Sequence, residues 1–174
     1  MRHDLSLTAR TVTLRPLAQE DLEELRILRN RSSERFIHKA QIGPEEQRRW
    51  YHSYLDREGD YMFSVYHRPN GAWVGAVGIY DVDAGSGTAE FGRLIVDRAA
   101  AGTGGLGAEA TRAACAIAFS QLHLERLRLE VYHDNVAALI AYLKAGFLPV
   151  GMAEDGAGGR LLRMELIRSK EADL

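Results

Sequence analysis

Two stretches of this sequence hold the residue types from which a reaction could be assembled. The first is Gly102-Thr103-Gly104-Gly105-Leu106-Gly107, set between an alternating apolar run and an alanine-rich one. Glycines at the head of a helix let backbone N–H groups approach phosphate oxygens, and the helix turns its positive end to the same anion. The spacing also matches G-x-G-x-x-G, the dinucleotide fingerprint, with Glu130 near the place of a ribose-binding acid. However, Asp97 to Ala101 separate the preceding strand from the first glycine. Only 67 residues of the 174 follow Gly107, too few for the rest of a doubly wound sheet. Ala108 and Glu109 stand where a nucleoside-triphosphate loop requires Lys and Ser/Thr.

The second stretch runs from Asn135 to Phe147. Val136, Leu139, Ile140 and Leu143 recur at i, i+3, i+4 and i+7, which predicts a core-facing helical stripe. Tyr142 then points about 100° away from it, among Ala138, Ala141 and Ala145. A phenol flanked by alanines leaves room for something to pass beside it. A water-satisfied tyrosine at the edge of the core is the other reading.

The elements that must position these groups follow from periodicity. Arg10 to Arg15 alternates as a strand closed by Pro16, and Gln19 to Asn30 has helical spacing. Gly43-Pro44-Glu45-Glu46 starts a second helix through Trp50 to Leu55. Met62 to Arg68, Ala72 to Tyr80 and Thr88 to Val96 are strand-like, joined by Pro69-Asn70-Gly71 and Ala84-Gly85-Ser86-Gly87, so they predict an antiparallel meander. A helix over Leu106 to Gln121, a strand over Arg126 to Val131 and a helix capped by Asp134 or Asn135 and stopped at Gly146 come next. Phe147 to Met152 and Leu161 to Ile167 form a last strand pair. The result is one mixed α/β domain spanning 1–174.

Composition narrows the function classes. With 22 basic and 24 acidic residues, the formal charge of −2 argues against a nucleic-acid or anionic-membrane binder working by bulk electrostatics. One cysteine, Cys115, leaves no internal disulfide framework and no multi-cysteine zinc site. The six histidines show no metal-ligand spacing, so no metal is expected. No apolar run reaches the ~18 residues of a spanning helix, and Met1-Arg2-His3-Asp4 has no signal-peptide pattern, so the expected location is cytoplasmic.

Together the two stretches resemble the GNAT superfamily of acetyl-CoA-dependent N-acetyltransferases. Thr103 to Ala110 looks like that family's pyrophosphate loop, with Gly102 where a polar side chain usually leads it. Asn135-Val136-Ala137-Ala138-Leu139-Ile140-Ala141-Tyr142-Leu143-Lys144-Ala145-Gly146-Phe147 is similar to its Asn-x-x-Ala-x-x-x-Tyr-x-Lys-x-Gly-Phe signature. Glu20 through Arg29-Asn30 and Ala89 to Leu94 look most like the ribosomal-protein N-terminal acetyltransferase branch, whose relatives also acetylate nucleotide-linked amino sugars. The likeness implies a mostly antiparallel central sheet with one splayed parallel strand pair, flanked by about four helices.

It also implies roles. Leu94, Ile95 and Val96 would pair with pantetheine, and the amides of Gly102, Thr103, Gly104, Gly105, Leu106 and Gly107 would hold the pyrophosphate of acetyl-CoA. Ala138 and Tyr142 would lie along the same ligand. Asn135 either bonds pantetheine or caps its helix. Acyl transfer needs a neutral amine. Deprotonating an alkylamine of pKa ~10.4 at pH 7 costs about 4.6 kcal/mol, against about 1 kcal/mol for an α-amine of pKa ~7.8. Glu90 is the candidate base, or else a residue paired with Arg93 or Arg15; His133 is a weaker alternative. Tyr142 is the candidate donor to the leaving sulfur, with attack direct and Cys115 a small core residue. Arg29 and Asn30, the neighbouring Phe36, Ile37 and His38, and Tyr80 with Asp81 opposite would line the acceptor pocket. The acceptor is then a protein N-terminus or an amine-bearing small molecule, with the chain a monomer or homodimer. A non-catalytic CoA-binding module and a dinucleotide oxidoreductase are the competing classes.

Overall fold

In the computed structural model, residues 2–35, 40–97, 99 and 104–169 are described. Gly102, Thr103, Phe36, Ile37 and His38 lie outside them. Strand β1 (Leu7–Thr8) precedes β2 (Val12–Pro16), where Val12 and Leu14 alternate inward and are fully buried. A 3-10 turn (Gln19–Asp21) leads into α1 (Leu22–Arg31). The Asp21 carboxylate is buried there and accepts bonds from Ser64 Oγ at 2.6 Å and the Tyr66 hydroxyl at 2.8 Å. These two bonds fix the helix to the sheet and satisfy a charge that would otherwise be costly to bury. Pro44 opens α2 (Pro44–Asp56), whose Tyr51 and Tyr54 turn inward.

The predicted meander is present as β3 (Tyr61–His67), β4 (Trp73–Asp83) and β5 (Thr88–Val96). Then come α3 (Leu106–Ser120), β6 (Arg126–Tyr132), α4 (Val136–Ala145), β7 (Leu148–Glu154) and β8 (Arg160–Ile167). They form one eight-stranded sheet in the order β1-β2-β3-β4-β5-β6-β8-β7, and among its pairings only β5–β6 is parallel. A doubly wound dinucleotide fold needs a mostly parallel sheet, so the oxidoreductase alternative is set aside. Residues of α3 and α4 build one core with one face of the sheet, and residues of α1 and α2 build a second with the other face. Among the described residues, no helix is long and apolar enough to cross a membrane.

One sequence expectation is corrected. Val136, Ile140 and Leu143 of α4 are 61%, 47% and 51% exposed, while Ala141 and Tyr142 are buried. The helix turns its alanine side inward because α3 is itself lined with small residues, and small faces allow close approach. A Cβ built on Gly107 would stand 3.8 Å from that of Ala141. Arg112 of α3 donates to the Lys144 carbonyl at 3.4 Å near the other end of α4. Tight backbone contact carries Tyr142 into the core; of the predicted stripe, Leu139 still packs against the core while Val136, Ile140 and Leu143 are left outside.

Candidate functional site

The parallel pairing of β5 and β6 covers three positions only: Thr88 with Arg126, Ala89 with Leu127 and Glu90 with Arg128. Both strands continue, β5 to Val96 and β6 to Tyr132, without pairing each other. The sheet therefore opens into a gap just beyond Glu90. Along one side of it, Ile95 and Val96 stay tied to β4, opposite Ala76 and Gly75, while Leu94 falls in the register slip beside them. Their pairing to β4 leaves the other edge of the strand unmatched by β6, as an extended ligand carrying amides would require.

Two backbone irregularities lie on either side of the Tyr80–Glu90 pair. The β4–β5 register slips between Gly78–Gly92 and Ala76–Ile95, and again after Tyr80. Each slip carries a non-glycine residue in the left-handed region, Arg93 at φ 53° and Asp81 at φ 50°. Such residues cost energy and tend to cluster at functional sites, where bulges re-aim side chains. Strand alternation alone would send Arg93 to the α3/α4 face with Phe91. The bulge instead brings its side chain to the face that carries Glu90 and Gly92, where its guanidinium carbon lies 4.2 Å from the centre of the Tyr80 ring. Sequence reading missed this role. Its one signal was glycine inside two strands, at Gly78 and Gly92.

Tyr142 lies on the α3/α4 face of the sheet, beside Phe91, the residue after Glu90. It is 7% exposed and packs edge-on to Phe91, with ring centroids 5.7 Å apart, and against Phe147 at 6.0 Å. Burial, with the nearby Tyr80, holds its phenol well above the ordinary tyrosine range, so it is a neutral hydrogen-bond donor at physiological pH. Among the described residues the hydroxyl has no protein hydrogen-bond partner.

Glu90 lies on the opposite face, half-buried, in register with Tyr80 on one side and Arg128 on the other. Desolvation raises its pKa; Arg128 opposes this, and Asp81, Glu130 and Glu165 add to it. The alternative pairings of Glu90 are not made. Arg93 binds Asp60 at 2.6 Å, and Arg15 lies over the Tyr66 ring at 5.3 Å. Arg128 binds Glu165 at 3.4 Å and Arg163 binds Glu130 at 2.8 Å, so both of these strand residues are engaged in ion pairs. His133 is exposed, its ring nitrogen 3.2 Å from the Arg160 carbonyl.

At the head of α3, Gly105 is the N-cap at φ 94°, a conformation that disfavours any side chain, and it has no side-chain cap. A Cβ on Gly104 or Gly105 would meet nothing within 4 Å among the described residues. Glu109, in the first turn, would compete with an anion, but its carboxylate is turned away. It accepts from the Thr11 amide at 2.6 Å and from the Thr11 hydroxyl. Burial works to raise its pKa, yet the Thr11 bonds, helped by Arg10 and Arg112, leave it lowered, so it stays ionised where it is. The positive potential of the first amides of α3 is therefore not cancelled by this carboxylate, and such a helix end can accept an anion. These features suit the phosphate end of acetyl-CoA.

The remaining predicted residues divide. The Asn135 side chain accepts from the Ala138 amide at 3.3 Å, so it caps α4. With Glu34, Tyr132, Asp134, Val136 and Ala137 it also lines a cleft of about 340 Å³ at the end of β6. Asn30 is occupied by the α1–α2 connection, donating to the Ile42 carbonyl and accepting from the Ile42 amide, both at 2.9 Å. Arg29 donates to the Ala40 carbonyl at 3.0 Å. These two side chains hold Ala40 and Ile42 against the end of α1. Cys115 is buried, and burial raises its thiol pKa, so it stays protonated. Among the described residues, no group of three or more His, Cys, Asp or Glu side chains is arranged to hold a metal ion.

No curated protein matches the chain. Among solved structures it is similar to spermidine N-acetyltransferase from Vibrio cholerae, solved with CoA and spermine. That likeness has a TM-score of 0.82 at 22% identity, over 94% of this chain and 99% of that one. It is equally similar to a nucleotide-linked sugar GNAT, at TM-score 0.82 and 22% identity over 98% and 94% of the two chains. For a GNAT-family acetyltransferase from Bacillus anthracis the values are 0.78 and 16%, over 94% and 98%. At these identities the likenesses establish the fold. The family described as "Acetyltransferase (GNAT) domain" matches residues 11–148, which take in the strand gap, the glycine loop and the whole of α4. The chain therefore belongs to the GNAT family and is an acetyl-CoA-dependent acyltransferase.

Proposed function

We propose that the gap beyond Glu90 is where an acetyl group passes from acetyl-CoA to an amine. The observation that carries this reading is the end of β5–β6 pairing at Glu90–Arg128, with a neutral phenol on one face of the sheet there and, on the other, a carboxylate that makes no ion pair among the described residues. Amides at the head of α3 hold the diphosphate, and the free edge of Leu94 to Val96 pairs with the pantetheine arm. Bound acetyl-CoA supplies a thioester carbonyl open to attack.

Glu90 takes the proton from the incoming ammonium, directly or through one water. Its raised pKa makes it a better base near neutral pH than an exposed carboxylate. The amine nitrogen forms the new N–C bond as the C–S bond breaks, the electron pair leaves on sulfur, and the second proton that nitrogen must lose goes by way of solvent to the departing thiolate. Tyr142 donates a hydrogen bond to that sulfur. A phenol above its usual range does not give up its proton early to a thiolate of pKa ~8.5, so its contribution is charge stabilisation as the bond breaks. Cys115, buried and protonated, does not carry the acetyl group.

The acceptor is a primary amine on a protein N-terminus or a small molecule. The likeness of Glu20 to Asn30 and Ala89 to Leu94 to the ribosomal-protein branch supports an N-terminal α-amine. The amine substrates named for the similar solved structures, spermidine and a nucleotide-linked sugar, support a small molecule. Thiol release from acetyl-CoA, measured with peptides, amino sugars and polyamines, decides between them. Binding of CoA with no turnover on any of these amines would overturn the reading.

A further inference from the structure

The bulge at Arg93 places a charged side chain against the site. Gly78 and Gly92 face each other across β4 and β5. A Cβ on Gly92 would come within 2.8 Å of the Tyr80 hydroxyl, and one on Gly78 within 3.3 Å of Arg93 Cδ and 2.8 Å of Met62 Sδ. The two glycines clear a flat bed, on which the Tyr80 phenol lies over Gly92 and the Arg93 stem lies over Gly78. The Arg93 guanidinium rests on the Tyr80 ring at 4.2 Å and donates to Asp60 Oδ1 at 2.6 Å. Asp60 is 4% exposed, and its other oxygen is 3.5 Å from Arg57. The Asp60 carbonyl also accepts from Arg2 at 3.0 Å, which fixes the backbone beneath the pair. A planar cation held at one end by a buried carboxylate and stacked at the other on a phenol has little freedom left. Tyr80 is in register with Glu90, so whatever holds this ring shapes the surface beside the candidate base.

We propose that Arg93 is a positioning residue of the acceptor face: anchored by Asp60, it clamps the Tyr80 ring over Gly92 and so sets the surface against which the amine meets Glu90. The claim rests on the acetyl-transfer reading above. It assigns Arg93 no contact with acetyl-CoA.

The test is Arg93→Lys, which keeps a cation for Asp60 but loses the stacking plane, studied with Tyr80→Ala and the double variant. Expected in Arg93→Lys are a CoA affinity and melting temperature close to wild type. The acceptor kcat/KM falls about tenfold, as for a misplaced site wall. The double variant is no slower than Tyr80→Ala alone, because both changes undo one clamp. Arg93→Gly, which relieves the positive φ while removing the side chain, should reproduce the acceptor loss without loosening CoA. A second readout needs no turnover. The Tyr80 ring carbon resonance of the resting protein should shift in Arg93→Lys while that of Tyr142 stays in place. Acceptor kcat/KM within twofold of wild type, losses that multiply in the double variant, an unmoved Tyr80 resonance or a parallel loss of CoA affinity would each overturn the proposal. A wild-type protein that acetylates no amine would defeat the acetyl-transfer reading instead, leaving the resonance shift to decide whether the clamp exists.

Discussion

Removing one oxygen from Tyr142 separates chemistry from packing more cleanly than any other change at this site. Tyr142→Phe keeps the ring that stacks edge-on to Phe91, and the hydroxyl has no protein partner among the described residues, so no internal hydrogen bond is lost. Stability should therefore change by no more than about 0.5 kcal/mol, the usual limit for a substitution that breaks no packing or hydrogen bond. The same oxygen is assigned a hydrogen bond to sulfur as negative charge develops. Hydrogen bonds to charged groups contribute about 1.5–3 kcal/mol, so kcat should fall roughly 10- to 150-fold. The assay is free-thiol release from acetyl-CoA at saturating amine, with CoA affinity and melting temperature measured beside it. The deficit should shrink when the acetyl group is carried on a more acidic thiol, which leaves without help. Full kcat in Tyr142→Phe would refute the argument. So would a deficit matched by an equal loss of CoA binding, which would mean that the hydroxyl shapes the site rather than serving the leaving group.

Four further outcomes follow. Glu90 has a folded pKa above its unfolded value, so its ionisation works against folding as pH rises; Glu90→Gln should melt higher than wild type at pH 7–8, with the difference vanishing below about pH 4, while acetyl transfer to an alkylamine falls sharply. Glu109 is the opposite case, its pKa lowered by the Thr11 bonds: Glu109→Gln should be less stable than wild type above about pH 4.3, with the gap closing as pH falls through the folded pKa in acid denaturation. Gly105→Ala forces a side chain into φ 94° and should cost about 1–2 kcal/mol in melting experiments, with weaker CoA binding by calorimetry. Ile140→Ser should cost less than about 1 kcal/mol, against the 2–5 kcal/mol of a buried large-to-small change, because the side chain is 47% exposed; a loss in the upper range would restore the core-facing stripe.

The strands and helices were legible because their signals are local. Alternation in Thr88 to Val96, Pro44 at the head of α2 and Gly146 at the end of α4 each act within a few residues. The outward face of α4 was misread because periodicity counts apolar residues without weighing their size. It could not show that Ala141 would meet Gly107 across a close helix pair. The residues beside the gap were partly legible, since Tyr142 and Glu90 stand at fixed places in recognisable segments. The gap itself depends on where β5 stops pairing with β6, and those strands are separated in sequence by the whole of α3. The turning of Arg93 toward Tyr80 depends on a one-residue slip between β4 and β5, which only the folded register reveals.

The central claim is a placement of one ligand, and a crystal structure of the chain with CoA tests it most directly. The diphosphate should accept hydrogen bonds from the amides at Gly105 to Gly107, the pantetheine should run along Leu94 to Val96, and the sulfur should lie within hydrogen-bonding distance of the Tyr142 hydroxyl. A diphosphate bound away from the head of α3, or a sulfur on the far side of β5 from Tyr142, would contradict it.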